Sequence, residues 1–275
     1  MLFDSHAHIN NDNYTEQTRA ALINEIEASD LSYVMDIGFD LESSMLATKH
    51  AKQFTWCYAA VGIHPHDTKD MDDNMLAMIR GLAKKDKVQA IGEIGLDFHY
   101  NFSDQKVQEY WFRRQIQLAN ELKMPIVIHS READQKTMDI LKEEGAFSDQ
   151  RCSWFPKRQG VGGILEKDAR VLLHCFSGSR ELGQQYIKLG ATLSIAGPVT
   201  YKNNRKTVEV VETVPIEYLL IETDSPYLTP VPFRGKQNKS PYVEYTACKV
   251  AEIKDMEYDE VALRTLENAK IFFDI

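Results

Sequence analysis

The chain has 275 residues, of which 43% are hydrophobic, and it carries a formal net charge of −9. This length and hydrophobic fraction suit a single α/β barrel with a large core. The acidic balance argues against a broad basic surface for duplex DNA, although it permits a small anionic substrate in a locally positive cleft. There is no run of eighteen apolar residues, no basic leader and no CxxC pair, so we expect a cytoplasmic protein with reduced thiols.

Eight β-like apolar runs alternate with amphipathic stretches along the chain. The predicted strands cover 2–8, 33–38, 57–64, 88–93, 125–129, 171–174, 191–196 and 218–224. No Gly-rich phosphate loop follows the first strand. The alternation therefore predicts a parallel (β/α)8 barrel, or TIM barrel, in a single domain over 1–275, with a doubly wound open sheet as the alternative.

One link between predicted elements is irregular. The stretch between the fifth and sixth strands reads GAFSDQRCSWFPKRQGVGGILEKDA, which is rich in glycine and aromatic residues. Such a long link is either a surface insertion or a lid over a site.

The first predicted strand ends in an unusual pair of histidines. His6 and His8 stand two residues apart in DSHAHIN, so their side chains share one face of the strand. In a barrel this face is the interior, where two imidazoles need a polar partner, and a divalent metal ion is the commonest one. For this pair alone, histidines in a polar loop are the alternative.

Further metal-ligand residue types end other predicted strands. In a (β/α)8 barrel all strands point the same way, so these positions converge on one rim. Six ligands of mixed N and O character are too many for one tetrahedral zinc and predict two divalent ions, chosen among Mg, Mn, Zn and Co. The six predicted ligands are His6, His8, Glu93, His129, His174 and Asp224.

Two carboxylates have predicted catalytic roles in this arrangement. Glu93 is the candidate for a bridging ligand, and Asp224 is the candidate both for binding one ion and for accepting a proton from water. Glu222 has the same strand parity as Asp224, so it either orients a histidine ligand or is an exposed strand-end charge.

Three residues are predicted to contact a substrate phosphate. His64 ends the third strand, Arg131 follows the fifth, and Arg234 lies in the loop after the last strand, where phosphate sites often form in this architecture. Their alternatives are a turn histidine, a helix-start salt bridge and a solvated loop cation, respectively.

Other polar and aromatic residues carry weaker signals. His66 lies further into its loop, and Phe176 and Tyr227 adjoin ligand motifs and are candidates for stacking on bases. His50 and His99 are not predicted as ligands, because His50 falls on a helix-like segment, where solvated histidines are common, and His99 lies beyond a strand end.

Several long motifs resemble the TatD family of metal-dependent deoxyribonucleases, within the amidohydrolase superfamily. They are DSHAHIN, VGIHPHD, IGEIGLDFHY, FRRQIQLANELKMPIVIHSREA, LHCFSGS, LSIAGPVT and IETDSPYLTPVPFRGKQN. The resemblance covers nearly the whole chain and implies a TIM barrel that binds two divalent cations through the six residues named above. It also implies hydrolysis of DNA, often in the 3′ to 5′ direction.

The sequence departs from the family pattern at two places. Where relatives usually read RGKRNEP, this chain has RGKQNKSP, with Lys239 in place of an acidic residue and the proline shifted to Pro241. Relatives also tend to have a shorter link before LHCFSG, so 147–167 is interpreted as an insertion. Both departures bear on substrate preference more than on chemistry.

Three functional hypotheses follow from the sequence. The first is a monomeric 3′–5′ exodeoxyribonuclease acting on single-stranded DNA or free 3′ ends with a metal-activated water. The second is an amidohydrolase-like esterase or amidase, including a D-aminoacyl-tRNA deacylase, which would use the same ligands. The third is a barrel that has lost catalysis, and the filled ligand set argues against it.

Overall fold

Eight parallel strands form a nearly closed barrel in the computed structural model, which describes residues 1–100 and 102–275. The strands are β1 (Leu2–Ala7), β2 (Leu31–Ile37), β3 (Cys57–Val61), β4 (Val88–Asp97), β5 (Ile126–Arg131), β6 (Arg158–Gln159), β7 (Leu165–Glu166), β8 (Val171–Leu173), β9 (Thr192–Ile195) and β10 (Leu219–Ile221). The barrel order is β1-β2-β3-β4-β5-β8-β9-β10, and a parallel bridge between Ala7 and Ser225 joins its two edges. The predicted (β/α)8 barrel is confirmed, and the open sheet is excluded.

Helices cover the outside of the barrel between successive strands. They are α1 (Glu16–Glu27), α2 (Leu41–Gln53), α3 (Asp73–Ala83), α4 (Gln105–Leu122), α5 (Asp134–Glu143), α6 (Asp149–Cys152), α7 (Arg180–Lys188), α8 (Arg205–Thr213), α9 (Val243–Lys254) and α10 (Tyr258–Phe273). Local sequence sets their starts, as at α2, where Asp40 and Ser43 form a reciprocal capping box. No described helix is both long and apolar enough to cross a membrane.

The two ends of the barrel interior differ in polarity. The layer at the N-terminal end of the strands, called the lower layer here, is apolar. It contains buried side chains from seven strands, namely Phe3, Met35, Ala60, Ala90, Val127, Leu172 and Leu220. Phe272 and Phe273 of α10 pack against this layer and close the N-terminal end. A cluster of histidines and carboxylates occupies the opposite, C-terminal end, where a cavity opens.

A glycine allows β4 and β5 to approach closely at the level of the polar groups. Gly95 pairs with His129, and a Cβ atom at Gly95 would lie 1.9 Å from the His129 carbonyl oxygen. Its φ of +149° is also a value that other residues rarely adopt. Glycine here therefore sets the position of His129 relative to the side chains of β4.

The segment 147–167, which the sequence analysis interprets as an insertion, lies at the end of the barrel opposite the polar mouth. It contains α6 and the β6–β7 hairpin, which the sequence did not reveal. Arg158 in the hairpin is buried and donates to the carbonyl of Gly190 and to Thr192 Oγ1, at the N-terminal end of β9. Arg151 of α6 donates to the carbonyl of Ala169, just before β8. These contacts place the segment away from the mouth, which argues against the lid alternative, and its being an insertion relative to the family stays a prediction.

Candidate metal centre

The six predicted ligands converge at the C-terminal mouth of the barrel. They lie on or directly after strands that are distant in sequence: His6 and His8 at β1, Glu93 in β4, His129 in β5, His174 after β8 and Asp224 after β10. A cavity of about 870 Å³ opens at this mouth, and five of the six line it. The sixth, His6, is fully buried below it.

One oxygen of Glu93 faces a first cluster of donor atoms. His6 Nε2 and His8 Nε2 lie 3.4 and 3.6 Å from Glu93 Oε2. The same two nitrogens lie 3.7 and 3.4 Å from Asp224 Oδ1 and 3.3 Å from each other. Two ring nitrogens and two carboxylate oxygens thus surround one point.

The other oxygen of Glu93 faces a second cluster. His129 Nδ1 and His174 Nε2 each lie 2.8 Å from Glu93 Oε1 and 3.3 Å from each other. His64 Nε2 lies 3.6 Å from the same oxygen. The two oxygens of Glu93 therefore face two separate donor clusters, and its role as a bridging ligand stays a prediction.

The spacing within the first cluster fits a bound cation. Donors at about 2.1 Å from a tetrahedrally coordinated ion are separated by about 3.4 Å, and the distances in this cluster run from 3.3 to 3.7 Å. In addition, His6 and His8 bring two nitrogen atoms together in a buried space, where a cation can satisfy both. The donor chemistry suits a divalent metal ion.

The charges at the candidate metal centre favour binding of a cation. Burial opposes ionisation of Glu93, but His174 and His64 hold its pKa well below the usual range. Burial also opposes ionisation of Asp224, and a hydrogen bond with His8 lowers its pKa. Despite burial, Asp224 and Glu93 raise the pKa of His8 to about 9. Both carboxylates are thus anionic at neutral pH and need either an imidazolium or a metal ion beside them.

Backbone contacts hold Asp224 in an uncommon conformation. Its φ is +55°, in the left-handed region that aspartate tolerates better than most residues. The Asp224 amide donates to the His6 carbonyl at 2.9 Å, which fixes the two ligand segments together. The buried carboxylate of Asp4 accepts from both the amide and the hydroxyl of the adjacent Thr223, at 2.9 and 2.6 Å. These contacts aim the Asp224 side chain at the first cluster.

Two further carboxylates contact the far sides of the histidines in the second cluster. Glu222 Oε1 lies 3.3 Å from His174 Nδ1 and accepts from the Cys175 amide at 2.8 Å, so Glu222 is a buried orienting group and not an exposed charge. Asp97 Oδ2 lies 3.1 Å from His129 Nε2 and 3.0 Å from His66 Nε2. Groups of this kind fix the ring and tautomer of a metal-ligating histidine.

Asp97 was not predicted as a site residue, because the fourth strand was expected to end at Glu93. In the structure β4 continues to Asp97, which has the same strand parity as Glu93 and faces the same way. The alternation through Glu93, Gly95 and Asp97 was the available signal.

Of the three residues predicted to contact a substrate phosphate, two lie near the candidate metal centre and one lies away from it. His64 belongs to the second donor cluster. It therefore lies closer to the predicted ions than it would need to for contact with a phosphate. Arg131 is exposed, lines the cavity and stands 4.8 Å over the ring of Tyr100. Arg234 is exposed and lies 4.3 Å over the ring of Tyr201, and it is not among the described residues that line the cavity. Phosphate contact by these three residues stays a prediction.

The structure corrects the interpretation of His50. This residue is buried, and its Nδ1 lies 2.7 Å from Asp36 Oδ2. Asn10 donates to the other oxygen of Asp36 and to the Ile37 carbonyl, which also contacts His8 Nδ1 at 2.8 Å. His50 therefore belongs to a polar network behind His8 and is not a solvated helix-surface residue.

The remaining sequence candidates also have defined places. Tyr227 is exposed and lines the cavity, whereas Phe176 lines it with most of its ring buried. His66 joins the second cluster through Asp97, and His99 lies outside both clusters against Glu132.

Known proteins that are similar to this chain are metal-dependent hydrolases. The family described as TatD related DNase matches residues 3–274. The uncharacterized metal-dependent hydrolase YabD of Bacillus subtilis is 42% identical over 275 residues and covers 100% of both chains. The uncharacterized metal-dependent hydrolase TatD of Mycobacterium tuberculosis is 31% identical, over 98% of this chain and 96% of that protein.

Solved structures share the fold. The crystal structure of YjjV, a TatD homolog from Escherichia coli K12, superposes with a TM-score of 0.85 at 24% identity, covering 100% of this chain and 98% of that one. With its mixed histidine and carboxylate clusters at the barrel mouth, the molecule is a metal-dependent hydrolase of the (β/α)8 class. Within that class it belongs to the TatD-related DNase family.

Proposed function

We propose that this protein hydrolyses phosphodiester bonds of DNA, releasing nucleotides from the 3′ end, with two divalent cations at the mouth of the barrel. The observation that carries the proposal is the position of Glu93, whose two oxygens face separate clusters of donor atoms. A carboxylate shared in this way suits a pair of ions, and pairs of ions suit in-line displacement at phosphorus.

The two ions would be held by the residues of the two clusters. His6, His8, Asp224 and one oxygen of Glu93 form the first site, and His129, His174, His64 and the other oxygen form the second. When bound, the ions supply the positive charge that lowers the pKa of an attacking water and offsets negative charge on the phosphoryl oxygens.

Protein groups would complete the reaction. Asp224 lies at the edge of the first cluster on the cavity side, where its carboxylate accepts the proton of the attacking water. Arg131 stands at the cavity wall, where its guanidinium donates hydrogen bonds to a phosphate oxygen. Asp97 and Glu222 hold the rings of His129 and His174 in place during this step.

Local charge around the mouth supports a polyanionic substrate. Residues 197–207 and 228–242 follow β9 and β10 and reach the cavity through Pro198, Asn204 and Leu228. Neither segment contains an acidic residue, although the chain as a whole is acidic. Together they contain Lys202, Arg205, Lys206, Arg234 and Lys236, in addition to Lys239, which is ion-paired with Glu25. A positive rim of this kind attracts phosphates beyond the one that is cleaved, which a small neutral ester would not need.

The test is cleavage of end-labelled single-stranded DNA after chelation and re-addition of Mg, Mn, Zn or Co. Wild type should shorten the strand stepwise from its 3′ end, and Glu93→Ala and Asp224→Ala should lose this activity by at least about 100-fold. Glu42→Ala, which removes an exposed carboxylate on α2, is the matched control and should remain active. Hydrolysis of carboxyl esters or D-aminoacyl-tRNA, with DNA left intact under every metal, would replace the proposal with an esterase function.

A further inference from the structure

Two exposed aromatic side chains lie on the cavity wall. Tyr100 and Phe102 line the cavity, and 41% and 58% of their surfaces are exposed. Their rings are stacked, with centroids 5.4 Å apart and planes inclined by 14°. Large apolar side chains this exposed at a concave site commonly mark a ligand-contacting surface.

A short chain of contacts connects this aromatic pair to the metal centre. The ring of His66 meets Phe102 edge-on, with centroids 4.9 Å apart. His66 Nε2 lies 3.0 Å from Asp97 Oδ2, which lies 3.1 Å from His129 Nε2. Phe102 is thus three side-chain contacts from a predicted ligand. At this separation, one nucleotide can stack its base on Phe102 while its phosphate lies at the metal centre.

A cationic side chain adjoins the same pair. Arg131 lies two residues after His129 on β5 and lines the cavity, and its guanidinium stands 4.8 Å over the ring of Tyr100. A cation held over an aromatic face keeps its remaining N–H groups free for an anion. The wall therefore offers an apolar face and a phosphate donor side by side.

We propose that Phe102 and Tyr100 form a stacking platform for one unpaired nucleobase next to the scissile phosphodiester, with Arg131 on the phosphate. This inference rests on the proposed function and adds to it the residues that would hold a base beside the cleaved bond. A base inside a duplex is covered on both faces by its neighbours, so it must leave the stack before it can occupy the platform. Every base has a π-face, so the platform favours unpaired strands without selecting a sequence.

The test compares oligodeoxynucleotides that differ only in one base. One carries a normal base at each nucleotide flanking the cleaved bond, and the others carry an abasic tetrahydrofuran unit at one of the two positions. For wild type, kcat/KM should fall when the base that occupies the platform is removed. Phe102→Ala should lower kcat/KM on the complete strand by roughly 5- to 150-fold and leave the corresponding abasic strand almost unaffected.

Two control variants separate stacking from folding effects. Phe102→Trp keeps a broad π-face and should restore discrimination between the complete and abasic strands. Tyr110→Ala removes a 50%-exposed aromatic ring from α4, outside the cavity, and should behave as wild type. An equal loss on complete and abasic strands in Phe102→Ala would show a structural role and overturn the platform, as would unchanged kinetics on both.

A binding measurement keeps the platform testable independently of catalysis. Chelated protein is titrated with a strand containing 2-aminopurine, whose fluorescence is quenched when the base stacks on an aromatic ring. Quenching by wild type that is lost in Phe102→Ala supports the platform even if no strand is cleaved, in which case the nuclease function alone fails. Cleavage that is indifferent to the base, or binding without quenching, overturns the platform and leaves the nuclease function standing.

Discussion

Replacement of Asp97 with asparagine removes a negative charge from behind His129 while preserving the size of the side chain. Oδ1 of Asp97 accepts from the amides of His99 and Tyr100, at 3.0 Å each, and an asparagine oxygen can keep both bonds. Oδ2 faces the ring nitrogens of His129 and His66, at 3.1 and 3.0 Å. An amide group there no longer stabilises a proton on the far side of His129, so His129 becomes a poorer ligand.

The size of the effect follows from these contacts. A hydrogen bond to a charged group contributes about 1.5–3 kcal/mol, and loss of such a partner behind a metal ligand typically weakens metal binding or activity by about 10- to 100-fold. We therefore expect Asp97→Asn to bind Mn²⁺ about 10- to 100-fold more weakly than wild type. Calorimetric titration of the chelated proteins measures this directly, and circular dichroism verifies that the barrel is folded.

Asp104→Asn is the matched control, because Asp104 is exposed and caps α4, a position that asparagine fills equally well. It should bind Mn²⁺ as wild type does. Unchanged Mn²⁺ affinity in Asp97→Asn would refute the orienting role assigned to Asp97. Weaker binding accompanied by loss of folded structure would also count against it, because the effect would then arise from the fold.

Three other results are expected. Chelation should lower the unfolding temperature by about 5 °C, because a bound ion stabilises only the folded state, and re-addition of the metal should restore it; an unchanged melting curve would contradict metal binding at the buried carboxylates. His50→Ala should cost about 2–3 kcal/mol in urea unfolding, because it deprives the buried Asp36 of a hydrogen bond, whereas His99→Ala at an exposed position should cost under about 0.5 kcal/mol. Burial and the nearby Asp40 raise the pKa of Asp67 to about 6, so its ionisation disfavours the folded state and stability falls as pH rises from about 4 to 6. Asp67→Asn should therefore be more stable than wild type by about 1 kcal/mol at pH 8, after allowance for solvent screening, and gain less at pH 4.5; an equal gain at both values would contradict this.

The sequence predicted the barrel and the convergence of its ligands because both depend on regular rules. Apolar runs of four to eight residues mark buried strands, and parallel strands carry their C-terminal residues to one rim. His6 and Asp224, which are far apart in sequence, were therefore expected at one site. The division of the other five predicted ligands between the two oxygens of Glu93 could not be predicted, because it depends on side-chain directions.

The misses have local physical causes. The strands β6 and β7 have two residues each, too few to show any periodicity. His50 was interpreted as solvated because nothing within α2 shows that the carboxylate of Asp36, on β2, lies against it. Asp97 was overlooked because aspartate is rare in strands, and the continuation of β4 depends on its pairing with β5.

Because α10 closes the N-terminal end of the barrel, the barrel cannot be fully covered until the end of synthesis. Phe272 and Phe273 cover an apolar layer drawn from strands that begin with β1, and α10 is made after all of them. While the ribosome is still producing the last strand, this layer has no cover and the first and last strands have not met. The nascent chain therefore exposes this apolar layer until α10 emerges, and exposed apolar surface of this kind promotes association with other chains.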